Sequence, residues 1–147
     1  MKNISGLFRT TLTAFVLSSI SLGAHAATIA LKADLKASTE APPKDSPGQG
    51  TLTATLDTKT NEFKYHITFE GLTGPVAAAH FHGPATAGSN AKPQVPIKSS
   101  PIVSPIDGTA TLTPEQAKDL VDGKWYFNFH TAQNPSGEIR GQVVSTK

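Results

Sequence analysis

Thr51-Leu52-Thr53-Ala54-Thr55-Leu56-Asp57, then Thr58-Lys59-Thr60-Asn61, then Glu62-Phe63-Lys64-Tyr65-His66-Ile67-Thr68-Phe69 is the stretch from which the fold can be read. Threonines alternate with Leu52, Ala54 and Leu56. Beyond the break, Tyr65, Ile67 and Phe69 alternate with polar residues. Successive side chains on a strand point to opposite faces, so a period of two makes a strand with one apolar face. The break is built of turn-forming residues, and the two strands are predicted to pair as a hairpin.

The same pattern extends in both directions. Ile29 to Leu35 alternates, and Glu40 to Gly48 is a loop rich in proline and other turn residues. Ala77 to His82 and Thr109 to Leu112 read as short strands. Residues 83–101 hold four prolines and two glycines and are predicted to form a long loop. Lys124 to His130 is an aromatic strand, Asn134-Pro135-Ser136-Gly137 a turn, and Glu138 to Val144 the last strand. One helix is signalled. Thr113 is placed to cap it, Pro114 fits its first position, Gln116 completes a capping box, and Gly123 ends it. Many short strands with one short connector helix predict an all-β fold, an antiparallel sandwich or barrel.

The N-terminus predicts export. Lys2 and Arg9 are the only charges before Lys32, and residues 10–24 are small and apolar. Ala24-His25-Ala26 fits the small-x-small cleavage rule, so residues 1–26 read as a signal peptide and residues 27–147 as one mature domain. The run is shorter than the roughly 20 residues of a membrane span, so no membrane attachment is expected after cleavage. The expected location is the periplasm or the exterior. The chain has 13 Lys and Arg against 11 Asp and Glu. Lys2 and Arg9 account for the whole excess, and a neutral mature chain without basic clusters gives nucleic acid no purchase. There is no cysteine, and the single methionine is Met1. Blue-copper, thiolate-zinc and iron–sulfur sites are therefore excluded.

Four histidines remain in the mature chain, and alternation places each of them. His66 falls opposite Tyr65, Ile67 and Phe69. His80 and His82 fall opposite Phe81. His130 falls opposite Trp125, Phe127 and Phe129, on the face of Tyr126 and Asn128. A histidine on a solvated sheet face is ordinarily a plain polar residue. His80-Phe81-His82 is different, because residues i and i+2 are same-face neighbours about 6.5–7 Å apart. Two such imidazoles can lean onto one ion, and histidines on strands about 4.8 Å away can complete the set. A neutral all-imidazole set suits copper, zinc, iron or nickel, with copper highest in raw affinity and zinc second choice here. Tyr126, Asn128 and Thr68 are expected to orient the ligands. Glu138 is expected to serve as a charge partner near Arg140 or to a lysine.

Longer blocks carry a family resemblance. They are Glu40-Ala41-Pro42-Pro43, Gly71-Leu72, His80-Phe81-His82-Gly83-Pro84-Ala85, Gly123 to Thr131, and Pro135-Ser136-Gly137-Glu138-Ile139-Arg140-Gly141-Gln142. With these the chain resembles the CHRD domain of chordin and of single-domain exported bacterial proteins, over essentially all of 28–145. Ala41 stands where valine is usual and Trp125 where tyrosine is common. The resemblance implies a Greek-key β-sandwich similar to copper–zinc superoxide dismutase. It implies copper ligation by His80, His82 and His130, with His66 as fourth ligand, and Arg140 as the cation that guides an anion. The dismutase's zinc-site aspartate and disulfide have no counterpart here.

Three readings follow. The first is an exported copper-binding protein. The second, nested in it, adds superoxide dismutation, for which Arg140 would be the catalytic cation. The third is a secreted binding or structural module without a functional metal, in which the histidines tie strands together by hydrogen bonds to Thr131 or to the backbone. Nucleophilic catalysis has no support, because Ser136 lies in a Pro-Ser-Gly turn and not in a nucleophile elbow.

Overall fold

A computed structural model describes residues 27–146. Residues 1–26, read above as a signal peptide, lie outside the described residues. Eight strands run in chain order: β1 Thr28–Lys36, β2 Gln49–Asp57, β3 Glu62–Glu70, β4 Val76–His82, β5 Pro93–Pro96, β6 Ile106–Thr111, β7 Trp125–Thr131 and β8 Ile139–Ser145. Helix α1, Pro114–Val121, joins β6 to β7. All strand pairs are antiparallel, in the spatial order β5-β4-β7-β8-β1-β2-β3-β6. The chain passes from β3 to β4 and from β6 to β7 without pairing them, so these connections cross between opposite sides of the sheet. This is the all-β antiparallel fold expected, curled into a nearly closed barrel.

The hairpin forms where alternation puts it, with Leu52 opposite Ile67 and Leu56 opposite Phe63. Asp57 Oδ1 accepts from Lys59 N at 2.8 Å and Thr60 N at 3.0 Å, and Asn61 takes the left-handed conformation (φ 55°) that closes the turn. Leu31, Leu35, Leu52, Leu56, Phe63, Ile67, Phe81, Phe127 and Phe129 fill the interior. Phe63 from β3 meets Phe81 from β4 edge-on at 5.0 Å between centroids, joining the two sides of the barrel. The helix starts as expected. Thr113 accepts from Gln116 N, Gln116 reaches back to Thr113 N, and Gly123 follows at φ 71°.

Two expectations need correction. Residues 83–101 are not one loop, because Pro93–Pro96 forms β5 against β4, with Phe81 opposite Val95 and His80 opposite Pro96. Proline at both ends of a four-residue segment hid it. Proline is tolerated here because β5 is an edge strand, where a missing N–H faces away from the ladder. The sheet stays open between β5 and β6, where Tyr65, Val95, Ile106 and Gln116 line the gap. Gln116 Nε2 bridges to Gln94 Oε1 at 2.9 Å, tying α1 to β5.

The second correction concerns the outer face of β4, β7 and β8, which is not solvated. Tyr126, Asn128 and Arg140 on that face are all buried. The segment 83–92 folds over it. Ala85 N bonds Lys124 O at 2.7 Å, Gln142 Nε2 bonds Ala85 O at 2.9 Å, and Ala91 N bonds Tyr126 Oη at 3.2 Å. Asn90 Nδ2 bonds Ala41 O at 3.1 Å, so the 40–48 loop completes the cover. Among the described residues no helix is long and apolar enough to cross a membrane.

Candidate metal centre

β4 carries His80 and His82 outward on either side of fully buried Phe81. β7 pairs with β4, placing Tyr126 opposite His82, Asn128 opposite His80 and His130 opposite Ala78. Ala78 is small, so the His130 ring reaches diagonally toward His80. Ring centroids are 5.5 Å apart for His80 and His82, 5.3 Å for His80 and His130, and 6.2 Å for His82 and His130. One nitrogen from each ring lies within 4.8 Å of the others. Nitrogens each about 2.0–2.1 Å from one ion stand roughly 3–4 Å apart, so rotamer adjustments of under about 1 Å close the set.

The hydrogen bonds decide which nitrogens are free. His82 Nδ1 donates to Ala91 O at 2.9 Å, and His130 Nδ1 donates to Pro135 O at 3.0 Å. A backbone carbonyl only accepts, so the proton of each neutral ring sits on Nδ1 and the lone pair on Nε2. His82 Nε2, His130 Nε2 and His80 Nδ1 are all buried and make no hydrogen bond. Three unpaired buried nitrogens at one spot are costly unless something fills the space between them. Burial pushes the pKa of His80 down, and His130 and His82 beside it push the same way. Burial also pulls His82 down, against the opposing hydrogen bond to Ala91. Both rings are thus held in the neutral, electron-donating form. The residues present fit a divalent ion with an affinity for imidazole.

His66 is not part of this group. It sits half-exposed on β3, with Nδ1 2.7 Å from Asp107 Oδ1 of the neighbouring strand β6. β3 and β4 are not neighbours in the sheet, so alternation put His66 on an outer face, but on the other side of the barrel. Thr68 shares that remote face, where its hydroxyl pairs with Thr51 at 2.9 Å, and it cannot orient the ligands.

Arg140 is not an exposed anion guide, because its side chain is buried at 2% exposure. Its guanidinium lies 3.3 Å from the centroid of the Tyr126 ring. It donates to Asn90 Oδ1 at 3.0 Å and to the carbonyl of Ser89. β7 lies between β4 and β8, so Tyr126 receives Arg140 from one side and His82 from the other. His82 stacks on it at 4.8 Å and an interplanar angle of 1°. Arg140 therefore clamps the covering segment and indirectly seats a ligand.

Glu138 forms no ion pair with Arg140 or a lysine. It is completely buried and accepts from Ser46 Oγ (2.6 Å), Thr73 N (2.8 Å), Thr73 Oγ1 (2.8 Å) and Thr131 Oγ1 (2.6 Å). Burial pushes its pKa up, but these hydrogen bonds outweigh burial and bring it to about 2. Thr131 is thereby engaged by Glu138, and His82 and His130 bond to backbone carbonyls instead.

Residues without a sequence signal also build the site. The carbonyls of Ala91 and Pro135 set the two tautomers, and Glu40, buried beside Asn128, belongs to no motif that carries ligand chemistry. Neither a curated protein nor a solved structure matches the chain. The family model of the CHRD domain matches residues 31–143. That stretch holds β2 to β7 entire, most of β1 and β8, and all three converging histidines, so the chain belongs to the CHRD domain family.

Proposed function

We propose that this is an exported copper-binding protein that holds one ion through His80 Nδ1, His82 Nε2 and His130 Nε2. The observation that carries the reading is the convergence of three buried ring nitrogens that make no hydrogen bond, two of them with the proton locked on the far side of the ring. Copper is preferred because the donors are imidazoles without thiolate or thioether, and divalent copper heads the affinity order for such donors; zinc is the next choice. Export to the periplasm or the exterior rests on residues 1–26. When bound, copper would supply a one-electron redox centre. The protein's own groups hold His82 between Ala91 and Tyr126, hold His130 against Pro135, and favour the neutral form of His80 and His82. Superoxide turnover at this site would proceed without Arg140 as a guide, since that guanidinium is occupied beneath segment 83–92. Binding is therefore the function favoured over dismutation.

The test is titration of metal-free residues 27–147 with Cu(II), followed by calorimetry and electron spin resonance. One ion per chain is expected, with hyperfine structure from imidazole nitrogen. Affinity should fall in acid, and only at a pH below the ordinary imidazole value of about 6.5, because burial keeps His80 and His82 from taking up protons until then. Binding weaker than micromolar, or unchanged in the His80→Ala/His82→Ala double variant, refutes the reading and leaves the histidines as strand-tying polar groups.

A further inference from the structure

A fourth unpaired atom points to the same place. Asn128 is 3% exposed, and its Oδ1 is buried without a hydrogen bond. Leaving such a buried oxygen unpaired is unfavourable. Asn128 lies directly opposite His80 on the ladder, on the face it shares with His130, and its amide lies against the His82 ring.

The orientation of that amide is fixed from behind. Asn128 Nδ2 donates to Glu40 Oε1 at 3.4 Å. A carboxylate only accepts, so the nitrogen end of the amide must face Glu40 and the oxygen must face away from it. Glu40 is itself buried at 4% exposure; burial raises its pKa, while the hydrogen bond to Asn128 and the positive charge of Arg140 favour the carboxylate. Gly137 keeps the space for this pair. It sits at φ 127°, and a Cβ there would fall 2.3 Å from Glu40 Oε1 and 2.7 Å from Asn128 Nδ2. A buried acid, a buried amide and a glycine slot thus hold the amide with its oxygen away from Glu40.

We propose that Asn128 supplies its carbonyl oxygen as the fourth donor of the metal centre, and that Glu40 is the positioning residue that holds the amide in place. The proposal rests on the metal-binding reading above. It makes the donor set three imidazole nitrogens and one neutral oxygen. A hard oxygen donor favours a divalent ion over Cu(I), which prefers soft ligands. Asn128 is therefore a specificity-determining residue for Cu(II) against Cu(I).

The experiment uses the mature protein and its Asn128→Leu, Asn128→Ala, Glu40→Gln and His82→Ala variants, with thermal unfolding to confirm folding. Affinities for Cu(II) and Cu(I) are measured against competing chelators, and Cu(II) spectra by spin resonance. Asn128→Leu should weaken Cu(II) about tenfold, shift the Cu(II) spectrum, and leave Cu(I) affinity within a factor of two. Asn128→Ala serves the same purpose if the leucine variant does not fold. Glu40→Gln should have a smaller effect of the same kind, because a glutamine amide can donate to the asparagine oxygen and let the Asn128 amide turn over. An unchanged Cu(II) spectrum and affinity in the Asn128 variants, with binding abolished in His82→Ala, overturns the fourth donor and leaves the three-histidine reading intact. Unchanged binding in His82→Ala overturns both.

Discussion

Two outer faces of this barrel carry histidines, and they differ in almost every other respect. On β3 and β6, His66 stands half-exposed beside exposed Asp107, among threonines and lysines. On β4, β7 and β8, His80, His82 and His130 converge among buried Tyr126, Asn128 and Arg140, under a segment tied down by backbone and side-chain hydrogen bonds. Both faces come from strands with the same period of two. The difference is that one face met water and the other met the 40–48 and 83–92 segments. A histidine on the first keeps its hydration and a flexible partner. On the second, histidines lose water, His80 and His82 hold a proton less readily, and the free nitrogens are aimed at one another.

The largest contrast should appear in metal affinity. His80→Ala with His82→Ala should weaken Cu(II) binding by at least about 100-fold, exceeding the lower range seen for groups outside the ligand shell. His66→Ala should change it less than about twofold, since an exposed ring on a remote strand adds no donor. Equal losses on the two faces, read by calorimetry, would break the comparison.

Acid stability is the next contrast. Glu138 has its pKa lowered from 4.5 to about 2, so folding is favoured while the group is ionised. Its contribution is complete above pH about 4.5 and fades as pH falls toward 2, where both folded and unfolded chains are protonated. At pH 7 that shift corresponds to about 3 kcal/mol. Glu138→Gln should therefore lower unfolding free energy by about that amount at pH 7. The gap should shrink in acid, measured by urea unfolding across pH. A gap independent of pH would assign the loss to packing instead.

Arg140→Met should cost about 2 kcal/mol, because Asn90 and the Ser89 carbonyl lose a donor and Tyr126 loses its cation. Amide exchange should rise across 83–92 in that variant more than in β2 and β3. Uniform acceleration would show that Arg140 is not the clamp of the covering segment. The smallest effect is expected at Asp107→Asn. Its bond to His66 is solvent-exposed, and the unfolding midpoint should not move measurably.

Much of this was legible in the chain. The Leu52/Ala54/Leu56 and Tyr65/Ile67/Phe69 alternations placed β2 and β3, and the Thr113–Gln116 capping box placed α1 within a residue. His80-Phe81-His82 was legible as a same-face pair for the same reason. β5 was not, because prolines at Pro93 and Pro96 read as loop until an edge position makes them harmless. Arg140 and Glu138 were legible as a pair of charged residues beside Ile139, but not as buried. Alternation says which way a side chain leaves its strand and nothing about what later covers that face.

Local sequence alone was enough to set the strands, the helix cap, the lack of sulfur donors beyond Met1, and the two histidines on one side of β4. These are local properties, set by residues two to four apart. Tertiary structure alone decided that His130 joins them while His66 does not, that Ala91 and Pro135 set the tautomers, and that Arg140 clamps a segment instead of facing solvent. Those outcomes depend on which strands become neighbours and which loops fold over them, and ladders between residues far apart in the chain fix both.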